Sequence, residues 1–465
     1  MTKSISSYRT EEDSLGKLRI PKNALWGIQT QRAQENFAIG DAPFDMSIIH
    51  AFGYQKMAAA AANIHLKQIP QNLGAIIIRA AREIAEGKLD KHFPLSPWQT
   101  GSGTQTHMNV NEVIANRSAQ IMGFPLGSKH PVHPNDHANR GQSTNDSFPT
   151  VMHICLVLRL TRMLIPSLES LMRILSRKSQ EFHGSLSIGR THLQDATPVR
   201  SGMIFATYAD QVREVLKNLR LLRKKLHVLP QGGTAVGTGI NAHAQFSDVF
   251  CKELTVLLPF HFTPLKNFSV AMASHDLCVD VSASLNTLAT LCMKMGNDLR
   301  LLGSGPRCGL NELLLPETEP GSSIMPGKVN PTHIEALTQV SAHVMGLHTS
   351  ISIANSHGNL QLNVFKPLIL RNCMEAMLLM SQSINSFAMR CLQGISVNKT
   401  QVAQNLDKSL MLVTALTPLI GYDSAASLAK KAHRNGTSLK EEVLKTTSIT
   451  ETEFDTLTDP QKFMP

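Results

Sequence analysis

The chain has 465 residues, of which 42% are hydrophobic, 17% charged and 5% aromatic, with seven cysteines and a formal net charge of +10. This length allows a large buried core in two or three domains, and the composition is that of a soluble globular protein, which excludes a disordered or fibrous one. The cysteines are scattered and never spaced as C-x-x-C, so they predict no disulfide framework, zinc site or iron–sulfur cluster, and we expect neither a metal nor a cofactor.

The N-terminal part of the sequence is mixed in character. Its beginning, MTKSISSYRTEED, has no apolar segment and no cleavage motif of the kind found in secretory signals, which predicts a cytoplasmic location. The whole chain contains nothing close to about 20 consecutive apolar residues, so no membrane span is expected. Short helical patterns interrupted by Pro and Gly predict a mixed, mainly helical domain over residues 1–140.

Long helices are predicted in the middle of the chain, where apolar residues recur at three and four positions. The predicted segments are 147–180, 199–228, 267–303, 332–355 and 364–393. Helices of this length span roughly 40 Å at about 1.5 Å per residue, which indicates an elongated helical bundle over residues 141–394. Shorter segments after residue 394 predict a small helical C-terminal domain over 395–465.

The positive charge raises the question of nucleic-acid binding. The densest basic stretch, from Arg213 to Lys225, spreads its charges around a predicted helix and has no aromatic residues among them. This pattern is typical of a solvated helix surface, so neither a nucleic acid nor a membrane is expected as a partner. The excess charge would help to attract an anionic substrate.

The loops between the long helices are unusually rich in hydroxyl, amide, His and Gly residues. They read GSGTQTHMN, HPNDHANRGQSTND, GRTHLQDATP, GGTAVGTGIN and EPGSSIMPGKVNP. Polar loops on rigid helical elements are where binding and catalytic residues usually lie. The fourth loop has the glycines of a phosphate-binding loop but lacks the Lys-Ser/Thr ending, so no nucleotide is expected.

The most particular loop is GSSIMPGKVNP, residues 321–331. Local structure explains part of it, since Asn330 could cap a helix that begins at Pro331, and Thr332 with Glu335 fits a capping box. Taken as a whole, however, the loop resembles the signature of the fumarase/aspartase superfamily.

The other loops agree with this resemblance in order and spacing. They are GSGT at 101–104, MNVNEV at 108–113, HPND at 133–136, QSTND at 142–146 and GRTHLQDATP at 189–198. The resemblance therefore covers almost the whole chain. It implies an all-α, three-domain subunit with a central five-helix bundle, and a homotetramer with a twenty-helix core and active sites shared between subunits.

Within the superfamily, His192 and Gly327 stand where class II fumarases have these residues, whereas Thr144 and Gln361 are closer to aspartases. Thr106-His107 also replaces a common Ser-Asn, and the usual Gly-Gln-Glu after Pro198 is missing. The resemblance implies reversible hydration of fumarate to L-malate, in the tricarboxylic acid cycle, by acid–base catalysis without a metal. The alternatives are an aspartate ammonia-lyase, another lyase of the superfamily, or an inactive structural homologue.

The resemblance also implies roles for particular residues. Ser322 would be the carbon base, His192 would handle the proton at the hydroxyl end, and Glu335 would orient the histidine. The residues implied in substrate binding are Ser102, Gly103, Thr104, Ser143, Thr144, Asn145, Thr191, Ser323, Lys328, Val329 and Asn330. A second carboxylate site is implied at His133, Pro134, Asn135 and Asp136, where local structure alone predicts a helical turn opened by the proline.

Overall fold

A computed structural model describes residues 7–463 of the chain, so the initial MTKSIS lies outside the described residues. Most of the described residues are helical, and their strands form four two-stranded pairs. Three pairs are antiparallel and one is parallel: β1 (Tyr8–Asp13) with β2 (Gly16–Pro21), β3 (Leu186–Thr191) with β4 (Gln194–Arg200), β5 (Val228–Leu229) with β6 (Thr263–Pro264) in parallel, and β7 (Leu313–Leu314) with β8 (Ser396–Val397). The predicted all-α class is confirmed.

The N-terminal helices are longer than the interrupted pattern predicted. They are α1 (Ile28–Asn36), α2 (Met46–His65), α3 (Gln71–Ala85) and α4 (Thr104–Met122), with a 3₁₀ turn at Asp90–His92. The Ala-rich helix α2 is buried on most sides, which explains its weak amphipathic pattern in the sequence. A helix that is apolar all round gives no periodic signal, because burial then has no preferred direction.

The predicted long helices are present with shifted ends. They are α5 (Thr144–Arg159) continuing through a π-helical turn into α6 (Ile165–Glu181), α7 (Met203–Lys225), α10 (Asp276–Leu302), α11 (Thr332–Ser356) and α12 (Lys366–Arg390), with the shorter α8 (Phe246–Leu257) and α9 (Val270–Ala273) between them. The helix over Thr144–Glu181 is long and apolar enough to cross a membrane, yet 78% of its most apolar window is buried within the protein. That burial is typical of a core helix.

Short helices follow at the C-terminal end. They are α13 (Lys399–Lys408), α14 (Thr417–Ile420), α15 (Tyr422–Asn435), α16 (Leu439–Thr446) and α17 (Glu451–Leu457), with 3₁₀ turns at Leu392–Gly394, Leu410–Leu416 and Pro460–Phe463. A hydrophobic cluster of their own, which includes Leu416, Leu428, Val443 and Phe454, holds them together. Capping boxes at Ser438 and Thr450 mark the starts of α16 and α17.

The contacts divide the chain into two compact units. The first unit contains the described residues up to Ile165, together with Lys217–Thr287 and His343–Leu379. The second contains Pro166–Leu216, Leu288–Ala342 and the described residues from Met380 onward. The three-domain division at residues 140 and 394 stays a prediction.

Candidate active site

In the first unit, the GSGT loop leads directly into α4. The Ser102 and Thr104 hydroxyl oxygens lie 2.8 Å apart, within hydrogen-bonding distance. A side chain at Gly101 would collide with the backbone of Val364, since a Cβ there would lie 1.2 Å from the Val364 carbonyl oxygen. The Lys366 amide donates to the Gly101 carbonyl at 3.0 Å. Glycine is therefore required because the loop is pressed against the segment that precedes α12.

The second polar loop of this unit starts α5. Ser143 is the N-cap: its hydroxyl accepts from the Asn145 amide at 3.2 Å, while Asp146 accepts from the Ser143 amide at 2.9 Å. This capping box accounts structurally for a serine that the resemblance places in substrate binding. The hydrogen of the Ser143 hydroxyl remains available to an anion, which the positive end of a helix favours.

A hydrogen bond joins the starts of these two helices. The His107 Nδ1 atom, in the first turn of α4, lies 2.8 Å from the hydroxyl of Thr144, the first residue of α5. Ser102, Thr104, Ser143 and Thr144 thus belong to loops that the tertiary structure brings together. Two helix N-termini with hydroxyl side chains form a suitable place for a small carboxylate.

The buried Asp146 carboxylate, in the first turn of α5, connects this helix to the glycine-rich loop. The carboxylate accepts from the backbone amides of Gly232 and Thr234 at 2.9 and 3.0 Å, and from the Gln231 side chain at 3.1 Å. Burial raises the pKa of Asp146 to about 6, against the opposing effect of these donors. The glycine-rich loop therefore directs its amides at an internal carboxylate.

Two buried groups of this unit were not singled out in the sequence. Lys366 is fully buried, and its amine has no hydrogen-bond partner among the described residues; the same holds for Nε2 of the buried His275. Burial lowers the pKa of Lys366 to about 7, although the charge of Asp146 acts in the opposite direction. A lysine inside an apolar pattern gives no sign of its burial, so only the structure could reveal it.

The HPND segment lies in a series of turns, and the His137 amide donates to the His133 carbonyl, four residues earlier, at 3.2 Å, so the predicted helical turn opened by Pro134 is present as a single turn. The His133 ring nitrogen Nδ1 accepts from the amides of Asn135 and Asp136, both at 3.2 Å, and so satisfies two amides that the start of a helical turn leaves without backbone partners. A small cavity of about 50 Å³ is lined by His133, Pro134 and Asn135 together with residues of α4.

In the second unit, His192 occupies the turn of the β3–β4 hairpin. His192 and Leu193 both have positive φ angles, 58° and 61°, as a type I′ two-residue turn requires. Such turns favour Asn-Gly, and bulky side chains there are strained by about 1–3 kcal/mol each. Both side chains are exposed. A strained, exposed histidine at a hairpin tip indicates a functional requirement.

An ion pair fixes this hairpin. The Arg190 guanidinium donates to both carboxylate oxygens of Glu312, at 2.9 and 2.5 Å, and Asn405 donates to the same carboxylate at 2.8 Å. The Glu312 side chain is almost fully buried, with 4% of its surface exposed. A two-pronged pair of this kind sets position as well as contributing energy.

We expect Glu312→Ala to loosen the hairpin, because it leaves Arg190 without its carboxylate at a cost of about 3 kcal/mol. Amide hydrogen exchange over residues 186–200 should become at least about tenfold faster. The matched control is Glu83→Ala, which breaks the similar Arg117–Glu83 fork in the first unit. Unchanged exchange in the hairpin of the Glu312 variant would contradict the anchoring role.

The Ser322 loop folds back on itself. The Ser322 hydroxyl accepts from the amides of Ile324 and Met325 at 3.3 and 3.1 Å, as expected for a serine whose anion is to be favoured. The Asn330 side chain donates to the Gly321 carbonyl, and a Cβ at Gly321 would lie 1.9 Å from the Lys328 carbonyl oxygen. Glycine and asparagine thus close the base of the loop.

The helix α11 begins differently from what the local sequence pattern around Asn330 and Thr332 predicted. Pro331 precedes the first helical residue, and its carbonyl accepts from the Ile334 and Glu335 amides at 3.0 Å. Because Thr332 already lies inside the helix and Asn330 bonds to Gly321, the predicted capping box and asparagine cap are wrong. Within the described chain, the exposed Lys328 and Glu335 side chains form no ion pair.

The second unit therefore carries Thr191, His192, Ser322, Ser323, Lys328, Val329, Asn330 and Glu335, while the first carries the other predicted site residues. Among residues 7–463, no hydrogen bond joins His192 to Ser322 or to Glu335. A separate cavity of about 380 Å³ lies beside the hairpin and is lined by Arg190, Leu193 and Glu312, but not by His192.

Comparisons with known proteins match the chain over nearly its whole length. A model of the lyase family matches residues 16–346, and a model described as the fumarase C C-terminus matches residues 412–464. The chain is 50% identical over 454 residues to fumarate hydratase class II 2 of Bradyrhizobium diazoefficiens, covering 98% of this chain and 96% of that protein.

Two further relatives agree. Fumarate hydratase 1, mitochondrial, of Arabidopsis thaliana is 50% identical over 461 residues, covering 99% of this chain and 93% of that protein. Among solved structures, a recombinant class II fumarase from Schistosoma mansoni superposes with a TM-score of 0.95 at 40% identity, covering 98% of both chains.

Proposed function

The chain belongs to the class II fumarate hydratase family of lyases, and on that premise we propose that it catalyses the reversible addition of water to fumarate to give L-malate. The observation that carries this proposal is the 50% identity to named fumarate hydratases over 98–99% of the chain. The paired helix N-termini around Thr104 and Thr144, which favour a small anion, support it.

The reaction sets the demands on the site. Dehydration of malate removes a weakly acidic proton from the carbon beside one carboxylate, which gives an aci-carboxylate with additional negative charge. Stabilising that charge is the largest catalytic requirement. The Lys328 cation and the N-terminus of α11 would provide it, since both favour anions.

Ser322 would remove the carbon proton as an alkoxide, and the two loop amides that donate to its oxygen support this role. His192 would deliver a proton to the departing hydroxyl, which leaves as water, because an imidazole ring can both donate and accept a proton. Glu335 would orient His192. In the hydration direction each proton returns by the same route.

The substrate carboxylates and hydroxyl would be held by small polar groups. This set comprises Ser102, Gly103, Thr104, Ser143, Thr144, Asn145, Thr191, Ser323, Lys328, Val329 and Asn330. Asn145 Nδ2 donates one hydrogen to the Ala235 carbonyl at 2.8 Å, which leaves its second N–H and its Oδ1 for the substrate. The turns at His133, Pro134, Asn135 and Asp136 would form a second carboxylate site.

We further propose a cytoplasmic homotetramer, in which the central five-helix bundles join into a twenty-helix core and each active site collects residues from several subunits. The lengths of the helices support shared sites. The helix over Thr144–Glu181 has 38 residues and is about 57 Å long, at about 1.5 Å per residue. Loops at the ends of such helices meet readily when neighbouring chains pack side by side.

Malate should be converted to fumarate at least about a hundredfold faster than aspartate is, because His192 and Gly327 follow the fumarase pattern. The measurement is the ultraviolet absorbance of fumarate formed from each substrate under the same conditions. Equal rates, or a preference for aspartate, would favour the ammonia-lyase alternative that Thr144 and Gln361 suggest. No turnover of either substrate by the folded tetramer would favour an inactive structural homologue.

A further inference from the structure

Three buried side chains, Lys56, His107 and Thr144, are connected in sequence by hydrogen bonds. The Lys56 amine on α2 lies 2.8 Å from Nε2 of His107, and Nδ1 of His107 lies 2.8 Å from the Thr144 hydroxyl oxygen. Lys56 and His107 are fully buried, whereas Thr144 is 9% exposed. His107 is the only hydrogen-bond partner of the Thr144 hydroxyl in the described part of the chain.

The surroundings of Lys56 make it a hydrogen-bond donor. Three oxygen atoms besides the imidazole face its amine: Gln142 Oε1 at 2.9 Å, Asn139 Oδ1 at 3.3 Å and the Ala138 carbonyl at 3.4 Å. The Gln142 amide cannot be reversed, because its Nε2 donates to two backbone carbonyls and its Oε1 also accepts from Gln55. An ammonium has three N–H groups and no lone pair, so it suits a site made of acceptors.

Donation by the Lys56 amine determines which nitrogen of the His107 imidazole carries the proton. Because Nε2 accepts from Lys56, the ring must carry its proton on Nδ1, which then donates to Thr144. Burial and the neighbouring Lys56 charge hold the pKa of His107 well below its usual value, so the ring stays neutral. Burial also lowers the pKa of Lys56 well below its usual value, against the charge of Asp146, so the donor role of Lys56 rests on the acceptor atoms that surround its amine.

The Thr144 hydroxyl oxygen therefore accepts a hydrogen bond from His107 Nδ1, and the hydroxyl hydrogen remains free to donate to a bound ligand. We propose that Lys56 and His107 form a positioning relay that fixes the Thr144 hydroxyl as a donor to a substrate carboxylate. This inference rests on the proposed function, in which Thr144 binds the dicarboxylate. His107 and Thr144 also stand at two of the positions where the sequence departs from the pattern that it otherwise resembles.

Two conservative variants of His107 separate the relay from simple packing. In His107→Asn the side-chain amide lies where Nδ1 was, so the hydrogen bond to Thr144 is kept. In His107→Gln the side-chain amide lies where Nε2 was, so only the hydrogen bond to Lys56 is kept. We expect His107→Gln to raise KM for malate about tenfold with kcat changed less than about threefold, since a lost bond to a carboxylate weakens substrate and transition state alike. His107→Asn should raise KM much less.

The decisive measurement repeats the His107→Gln comparison in a Thr144→Val background, where it should no longer change KM. If His107→Gln fails to fold, Lys56→Met serves instead, and its increase in KM should likewise disappear in that background. An effect of either variant that persists without the Thr144 hydroxyl shows a structural role only and overturns the relay.

The possible failures are distinguishable. If Thr144→Val itself leaves KM unchanged while malate is turned over, Thr144 does not bind substrate, and the relay falls together with that binding assignment. If Thr144→Val raises KM but the two His107 variants behave alike, only the relay is wrong. Absence of malate turnover by the wild-type chain would instead overturn the proposed function.

Discussion

Replacing Ser322 by alanine is expected to lower kcat for malate dehydration by a hundredfold or more, within the usual range for loss of a general base. The hydroxyl accepts from the Ile324 and Met325 amides, which favour its anion. Alanine removes the proton acceptor without changing the backbone that closes the loop at Gly321. KM should change much less than kcat, because the lost interaction acts in the transition state.

His192→Asn should have a comparable effect, since asparagine tolerates the left-handed turn conformation at φ 58° but cannot exchange protons. The matched controls are Ser356→Ala at the end of α11 and His261→Asn on an exposed loop, both of which should keep normal rates. Circular dichroism and size-exclusion chromatography would verify folding. Near-normal turnover by the Ser322 variant would place the carbon base elsewhere.

Mixing the two inactive variants is expected to restore activity. If Ser322 and His192 of one site come from different subunits, tetramers refolded from equal amounts of both variants contain about a quarter of sites with both residues intact, by random assortment. Malate turnover should therefore rise to about a quarter of the wild-type rate, against two parents that each remain inactive when refolded alone.

Distinct affinity tags on the two variants would isolate tetramers that contain both chains. Recovery in this isolated fraction, absent from a mixture of tetramers refolded separately, identifies shared sites. If the doubly tagged tetramers form and remain as inactive as their parents, both residues belong to one chain and the shared-site proposal is wrong.

The sequence by itself determined the helical class and the approximate helix positions. Apolar residues recur at three and four positions in the predicted segment 199–228, among them Val212, Leu219 and Leu226. The helix α7 (Met203–Lys225) occupies that part of the chain, and all three residues are buried. Amphipathic periodicity is a local property, so it can be read without knowledge of the partners. The motif order likewise pointed to the family to which the comparisons assign the chain.

Local rules failed where a residue's partner was distant in the chain. Thr332 and Glu335 matched a capping box, but the Asn330–Gly321 contact and the helix start after Pro331 took precedence. The π-helical turn at Leu160–Leu164 and the burial of α2 on most sides had no sequence signal either.

Only the tertiary structure decided how the candidate site residues are supported. Lys56 and His107 are 51 positions apart, and His107 and Thr144 are 37 apart, so their hydrogen bonds exist only because α2, α4 and α5 pack together. Asp146 and the Gly232 amide are 86 positions apart. A buried polar group must find a partner wherever packing supplies one, and no local pattern records which distant residue that will be.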